Sequence, residues 1–302
     1  MKKTLTYFSI IIVVVFIVDV FIGIASKYYV SNYHLAGDYE PIDYLLKEST
    51  DSIIILGSSV ALNSLMPSII EDSLNTTCFN GAANAQRMVF FRTMLECIAK
   101  RHKPKLIILG LDHYGMGLEG MGRYNLLTPY YNMGYETIDS CLESKNRYEK
   151  VLLRSNLYRF NTIWFRMLLY NFITPDERGY KGFVAKSQPL SPITMKNIKD
   201  NGQIYKDRIA DLYQIVNFCK NNKIKLIIYF PPSYAHYTKI TGTIKTVKNI
   251  CKRTNVTVYD DSQNPTFLQH GEWFHDYVHL DKYGAIEYTK LFIKHIREEL
   301  EK

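Results

Sequence analysis

Two short stretches, far apart in the chain, carry residue types suited to acyl transfer. In Leu56-Gly57-Ser58-Ser59-Val60, two hydroxyls follow an apolar run directly. A serine on such a Gly-permitted turn lies near free backbone N–H groups that can hold an oxyanion. The same position also suits a plain serine helix cap. The pattern G-x-S-x-G is not met, because Ala61 takes the last place. In Asp276-Tyr277-Val278-His279, a carboxylate stands three residues ahead of an imidazole. It can fold back to accept from the ring Nδ1–H, set the tautomer and leave Nε2 free as a base.

Other chemistry-bearing residues point less clearly. Asp112, His113, His236, His275, Asp276 and His279 supply carboxylates and imidazoles, yet no H-E-x-x-H or comparable local pair occurs. Neither a metal nor a cofactor is expected. Gly115-Met116-Gly117-Leu118-Glu119-Gly120 matches G-x-G-x-x-G, but a dinucleotide fingerprint joins a strand directly to a helix. Here Asp112, His113 and Tyr114 intervene, so the stretch reads as a lid hinge. Cys78, Cys97, Cys141, Cys219 and Cys251 are scattered without a C-x-x-C, as buried hydrophobes would be. Two glycosylation sequons, at Asn75 and Asn255, fall at expected strands and carry little.

The elements that must position the two stretches follow from periodicity. Apolar, β-branched runs at 52–56, 76–79, 105–111, 225–230 and 256–259 read as buried strands. Helical patterns lie between and after them, at 67–74, 87–101, 204–221, 240–253 and 282–300. Continuous apolar strands alternating with helices predict a parallel sheet covered on both faces. Right-handed crossovers then make a three-layer α/β/α sandwich, with a flavodoxin-like five-stranded sheet as the expected form. Serine corner and Asp/His corner would meet at the C-terminal strand edge. The stretch of about 115–200 breaks the rhythm, shows no strand pattern and reads as a mostly helical insertion over that edge.

The chain has 302 residues, 47% of them apolar, enough for a sizeable core and too apolar for disorder. Lys2 and Lys3 precede an apolar run, 5–25, whose one charge is Asp19. At about 1.5 Å per residue the run spans about 31 Å, one hydrocarbon core. An uncleaved signal anchor over 1–27 is the expectation, with 28–302 as the globular part. Gly23-Ile24-Ala25 also fits a cleavage site. In both cases the basic flank predicts export of the rest to the extracytoplasmic side. Asp19 is costly against lipid and predicts an interfacial position or a helix–helix contact. Without Lys2, Lys3 and Asp19 the exported part carries 35 basic and 28 acidic residues, a net charge of +7, which favours anionic lipid headgroups or acidic envelope polymers over nucleic acid.

Together the two corners resemble those of the SGNH (GDSL-like) hydrolase superfamily, and the resemblance covers the sheet elements from about Asp51 to the C-terminus. The family's nucleophilic serine falls on Ser59 of Gly57-Ser58-Ser59, and its Asp-x-x-His on Asp276 and His279. The block Trp273-Phe274-His275-Asp276-Tyr277-Val278-His279-Leu280-Asp281-Lys282-Tyr283-Gly284 is similar to the family's terminal block. The Gly-Ser-Ser variant, the N-terminal apolar segment and Phe230-Pro231-Pro232 resemble the membrane-anchored branch. That branch includes teichoic-acid D-alanyl-transfer and polysaccharide O-acetylation proteins, and implies an acylated envelope polysaccharide as substrate and a membrane-bound acyltransferase as partner.

The sequence departs from the family in two blocks. Asn80-Gly81-Ala82-Ala83-Asn84-Ala85 aligns with the second, and places Ala85 where the family has an oxyanion-holding Gly beside Asn84. Gly110-Leu111-Asp112-His113 replaces the third, so Asp112 stands for an amide donor and would repel an oxyanion unless protonated or turned away. Ala85, Asn84, Asp112 and His113 are thus the expected oxyanion or substrate residues around a Ser59, His279, Asp276 triad. The resemblance implies a serine esterase or O-acyltransferase. The alternative is a decayed relative that binds or helps assemble an envelope polymer.

Overall fold

The computed structural model describes residues 2–117, 124–161, 163–172, 179–199, 202–238 and 241–302. The chain divides into two compact units, 1–40 with 124–175, and 41–123 with 176–302.

In the first unit, α1 (Lys2–Asn32) is a single helix long and apolar enough to cross a membrane. Apolar side chains of its first two-thirds stand exposed all round. Asp19 makes the helix–helix contact. Its carboxylate accepts from Ser155 Oγ (2.7 Å), Leu157 N (2.8 Å) and Asn156 Nδ2 (3.1 Å). Gly23, Ser26 and Val30 continue this face as its buried positions, at the three- and four-residue spacing of one helical stripe. A side chain at Gly23 would overlap the Asn156 amide, with a Cβ only 2.5 Å from its Cγ. Ser155 also caps the short helix Asn156–Phe160, its hydroxyl accepting from Tyr158 N (3.2 Å).

The second unit is α/β. Strands β1 (Ile53–Gly57), β2 (Cys78–Asn80), β3 (Leu106–Gly110), β5 (Lys225–Phe230) and β7 (Thr257–Asp260) form one parallel sheet in the order β2-β1-β3-β5-β7. β1 and β3 are buried at every position, which is why they read as unbroken Ile/Leu runs rather than alternating ones. Five helices fall where the periodicity predicts, α4 (Pro67–Leu74), α5 (Met88–Arg101), α10 (Lys206–Asn222), α11 (Gly242–Thr254) and α13 (Lys282–Glu301). The short α2 (Glu40–Lys47), α3 (Ser59–Leu62) and α12 (Pro265–Leu268) carry no such pattern. Helices α6 (Glu136–Glu143), α7 (Glu149–Leu152), α8 (Asn156–Phe160) and α9 (Ile163–Phe172) belong to the first unit. Helix α5 packs on α10, and α13 on α4 and β5. The core gathers Ile53, Ile55, Ile108 and Ile227 of the sheet with Tyr288, Phe292 and Ile296 of α13.

Both sequon asparagines are left-handed C-caps, Asn75 of α4 (φ 47°) and Asn255 of α11 (φ 58°). The expectation of an insertion without strands is corrected by β4 (Lys196–Ile198), which pairs in parallel with β6 (Ala235–Tyr237) as a separate two-stranded sheet. Three residues of mixed burial are too few to show a period. Of the G-x-G-x-x-G stretch, Gly115 to Gly117 form a turn, and 118–120 lie outside the described residues.

Candidate active site

The site begins at the end of β1. Gly57 pairs with Gly110 across β1 and β3, and its φ of 151° belongs to glycine; a Cβ there would stand 2.4 Å from the Gly110 carbonyl oxygen. That close pairing lets the chain turn sharply into α3. Ser58 takes the N-cap position and Ser59 begins the helix, so the two neighbouring hydroxyls point to different partners. Ser58 is buried, and its Oγ donates to Asp112 Oδ2 at 3.1 Å. Ser59 is partly open, and its Oγ lies 2.8 Å from His279 Nε2.

The partner corner is a tight hairpin. Phe274 bridges Leu280, His275 N donates to the His279 carbonyl (2.9 Å), and Asp281 caps α13 through Gly284 N (2.7 Å). Inside the hairpin, Asp276 Oδ1 accepts from the backbone N–H of Val278 and of His279, both at 2.8 Å. The His279 Nδ1 lies 2.8 Å from Asp276 Oδ2 and 3.0 Å from Oδ1. Partial burial works to raise the Asp276 carboxyl, but the His279 ring and the two N–H donors outweigh it and hold it at about 2. An ionised Asp276 keeps the proton on Nδ1, so Nε2 is the acceptor facing the Ser59 hydroxyl. Residues 220 positions apart thus form one Asp–His–Ser relay.

The expected oxyanion residues divide. Asn84 and Ala85 form an exposed turn, and Ala85 sits at φ 57°, the left-handed backbone its Gly-like position requires. Asn80 holds this loop in place, its amide donating to the Ala61 and Leu65 carbonyls while its oxygen accepts from Ala82 N. Among the described residues, the N–H groups of Ser59 and Ala85 have no acceptor. Ala85→Gly is expected to relieve the left-handed strain and stabilise the chain by about 1 kcal/mol net of glycine's entropy. A thermal melt of the detergent-solubilised chain should rise by about 2 °C. A fall would mean that the turn is not left-handed in solution.

Asp112 is buried and turned away, onto the Ser58 hydroxyl and the Tyr114 N–H (3.3 Å). Burial raises its pKa, against the opposing pull of Arg87, Ser58, the Tyr114 N–H and His279. Its two carboxyl oxygens are thus engaged by Ser58 and Tyr114 rather than free. His113 is buried, with its ring against Tyr114 (4.4 Å) and Tyr237 (4.9 Å) and its carbonyl accepting from Thr241 Oγ1 (2.7 Å). Its ring forms part of an aromatic cluster.

Sequence reasoning missed two participants. Ser58 is the partner that turns Asp112, a pairing set by the adjacency of β1 and β3. Arg87, two residues beyond Ala85, places its charge within reach of Asp112 and Tyr114, and its buried Nε has no partner among the described residues. Its position in Asn84-Ala85-Gln86-Arg87 was the available signal. The pool of Asp and His side chains does not converge further: among the described residues no group of three or more His, Cys, Asp or Glu is arranged to hold a metal ion. No family model matches the chain, and no curated protein matches it.

Proposed function

We propose that this chain is a membrane-anchored serine esterase or O-acyltransferase of the SGNH type, acting on acyl esters of a cell-envelope glycan or related polymer. The observation that carries the reading is the Ser59–His279–Asp276 relay, with Ser59 partly open to solvent. The SGNH assignment gains support from the strand order, which in chain order of the five strands is 2-1-3-4-5, that of a flavodoxin-like sheet. Helices α5 with α10, and α4 with α13, are the pairs expected of the outer layers of a three-layer sandwich.

The chemistry follows from the relay. Ser59 Oγ bonds to the acyl carbon as its proton passes to His279 Nε2, and the carbonyl π pair moves onto oxygen. The Ser59 and Ala85 N–H groups receive that oxyanion. Collapse breaks the bond to the leaving alkoxide, which takes the proton from His279 and leaves an acyl-Ser59 ester. A second hydroxyl, of water or of a sugar, then gives its proton to His279 and releases the acyl group in the reverse sense. Water makes the reaction hydrolysis and a sugar makes it transfer.

The reading is tested by treating the detergent-solubilised chain with an alkyl fluorophosphonate and mapping the adduct by peptide mass spectrometry. The adduct is expected on Ser59. An adduct on Ser58 would overturn the assignment of the nucleophile. The absence of any adduct would favour the second reading, a polymer-binding relative, for which the specific observation is Asp112 in place of an amide donor.

Asp112→Asn separates the two further. Loss of one oxyanion donor typically costs about 2.7–4 kcal/mol, so restoring an amide should leave turnover of an activated acetyl ester unchanged or raise it by up to about 10²-fold. A marked fall, with the fold retained by circular dichroism, would give the carboxylate a positive role such as binding the acceptor hydroxyl. For the anchor, the expected orientation puts residues beyond about Lys27 outside. Protease added to intact cells should digest the globular part; full protection would refute the orientation, and a soluble chain beginning at Ser26 would show cleavage.

A further inference from the structure

The largest cavity described belongs to the first unit and is remote in kind from acyl chemistry. It has a volume of about 590 Å³ and opens beside α1. One wall is a single helical stripe of α1, Val20, Gly23, Ile24 and Lys27, at i, i+3, i+4 and i+7. The stripe runs from apolar residues to a cation. The rest of the lining comes from α7, α8 and the segments around them, and adds three more cations, Lys150, Arg154 and Arg159, to the apolar Leu153.

The charges of this cavity are unevenly compensated. Lys150 pairs with Glu143 (3.1 Å), whose carboxylate also accepts from Tyr131 Oη (2.9 Å). Asp19 is satisfied by three donors, and Asp139 accepts from Asn132 N. Arg159 Nη1 donates to the Tyr131 carbonyl (3.2 Å) and its guanidinium lies over the Phe160 ring (4.6 Å), while its buried Nε has no partner among the described residues. The fields of Asp19 and Asp139 reach it without an ion pair. Lys27 and Arg154 are exposed and form no ion pair among the described residues.

We infer that this cavity binds the phosphate of an anionic lipid, with the acyl chain lying along Val20 and Ile24 and the phosphate among Lys27, Arg154 and Arg159. The inference rests on the reading that α1 is embedded in the membrane. The depth is then the right one: Lys27 follows the end of the apolar run, about 12 Å along the helix from Asp19, where headgroups begin. A cationic group at that level is attracted to an anionic headgroup, and Arg adds bidentate geometry for phosphate oxygens. The shared chemistry is a phosphate ester; the cavity's apolar stripe is what selects a lipid over a free phosphate.

The test uses the full chain in a non-ionic detergent, titrated with dioleoyl phosphatidylglycerol or dioleoyl phosphatidylcholine and read by native mass spectrometry. Phosphatidylglycerol should be retained at least roughly tenfold more tightly than phosphatidylcholine. The double variant Lys27→Gln/Arg154→Gln should lose roughly tenfold to thirtyfold of the phosphatidylglycerol affinity and none of the phosphatidylcholine affinity. Lys27→Arg/Arg154→Lys, which keeps both charges, should restore it and so controls for folding. Equal retention of the two lipids, or full retention by the double variant, overturns the proposal. Displacement of the lipid by millimolar inorganic phosphate overturns the lipid as ligand and leaves a phosphate site. Extraction of the chain from membranes by alkaline carbonate would refute the embedded α1, and the lipid with it. A carbonate-resistant chain without lipid preference refutes the lipid site alone.

Discussion

Ser59→Ala is expected to abolish fluorophosphonate labelling and to lower ester turnover by about 10⁴- to 10⁶-fold, the range seen when a serine nucleophile is removed from a relay of this kind. The fold should survive, because Ser59 Oγ faces His279 rather than the core, and the N-cap position of α3 belongs to Ser58. Ser58→Ala is the matched control with a different signature. It removes the hydroxyl that donates to the buried Asp112 carboxylate and leaves that group short of a partner. A cost of about 1–3 kcal/mol in stability follows, with labelling retained. Labelling that survived Ser59→Ala and vanished in Ser58→Ala would exchange the roles of the two residues.

Asp276→Asn should leave the hairpin standing and cost about 10⁴-fold in turnover, because an amide no longer holds the proton on His279 Nδ1. Its pH signature differs from that of any simple loss of packing. The Asp276 carboxyl lies at about 2, below the ordinary carboxylate value, so the ionised form is favoured in the folded chain. Its contribution to stability is therefore present above the ordinary carboxylate range and is lost as pH falls toward 2. With 43% of its side chain exposed, solvent screens that contribution. Denaturation midpoints measured from pH 5 to pH 2 should fall less steeply in Asp276→Asn than in the parent chain. Identical slopes would show that the carboxylate is not held down by His279 and the backbone N–H groups. On the acid side, ester turnover should not follow Asp276, which stays ionised throughout the usable range.

The Asp276–His279 half of the site was legible because both residues lie in one four-residue turn, where spacing alone dictates which atoms can meet. The five strands of the large sheet were legible too, since burial on both faces leaves an unbroken apolar run such as Ile53-Ile54-Ile55-Leu56. Their ends shifted by one or two residues: β2 begins at Cys78 and β7 at Thr257. β4 and β6 were invisible, being three residues long and not wholly buried.

What the sequence determined by itself is whatever depends on neighbours along the chain: the apolar length of α1, the Gly57 turn, the Asp276–His279 pair and the strand-helix rhythm. The residues of the Gly57 turn alone do not choose between Ser58 and Ser59. The family resemblance points to Ser59, and the tertiary structure brings that hydroxyl to His279, 220 residues away, through the way α3 starts at the end of β1. The tertiary structure likewise turned Asp112 onto Ser58 through the β1–β3 register, and gave Asp19, the lone charge of the apolar run 5–25, three donors from 155–157. Buried polar groups must find partners, and the periodicity of a segment records that it is buried without recording against what.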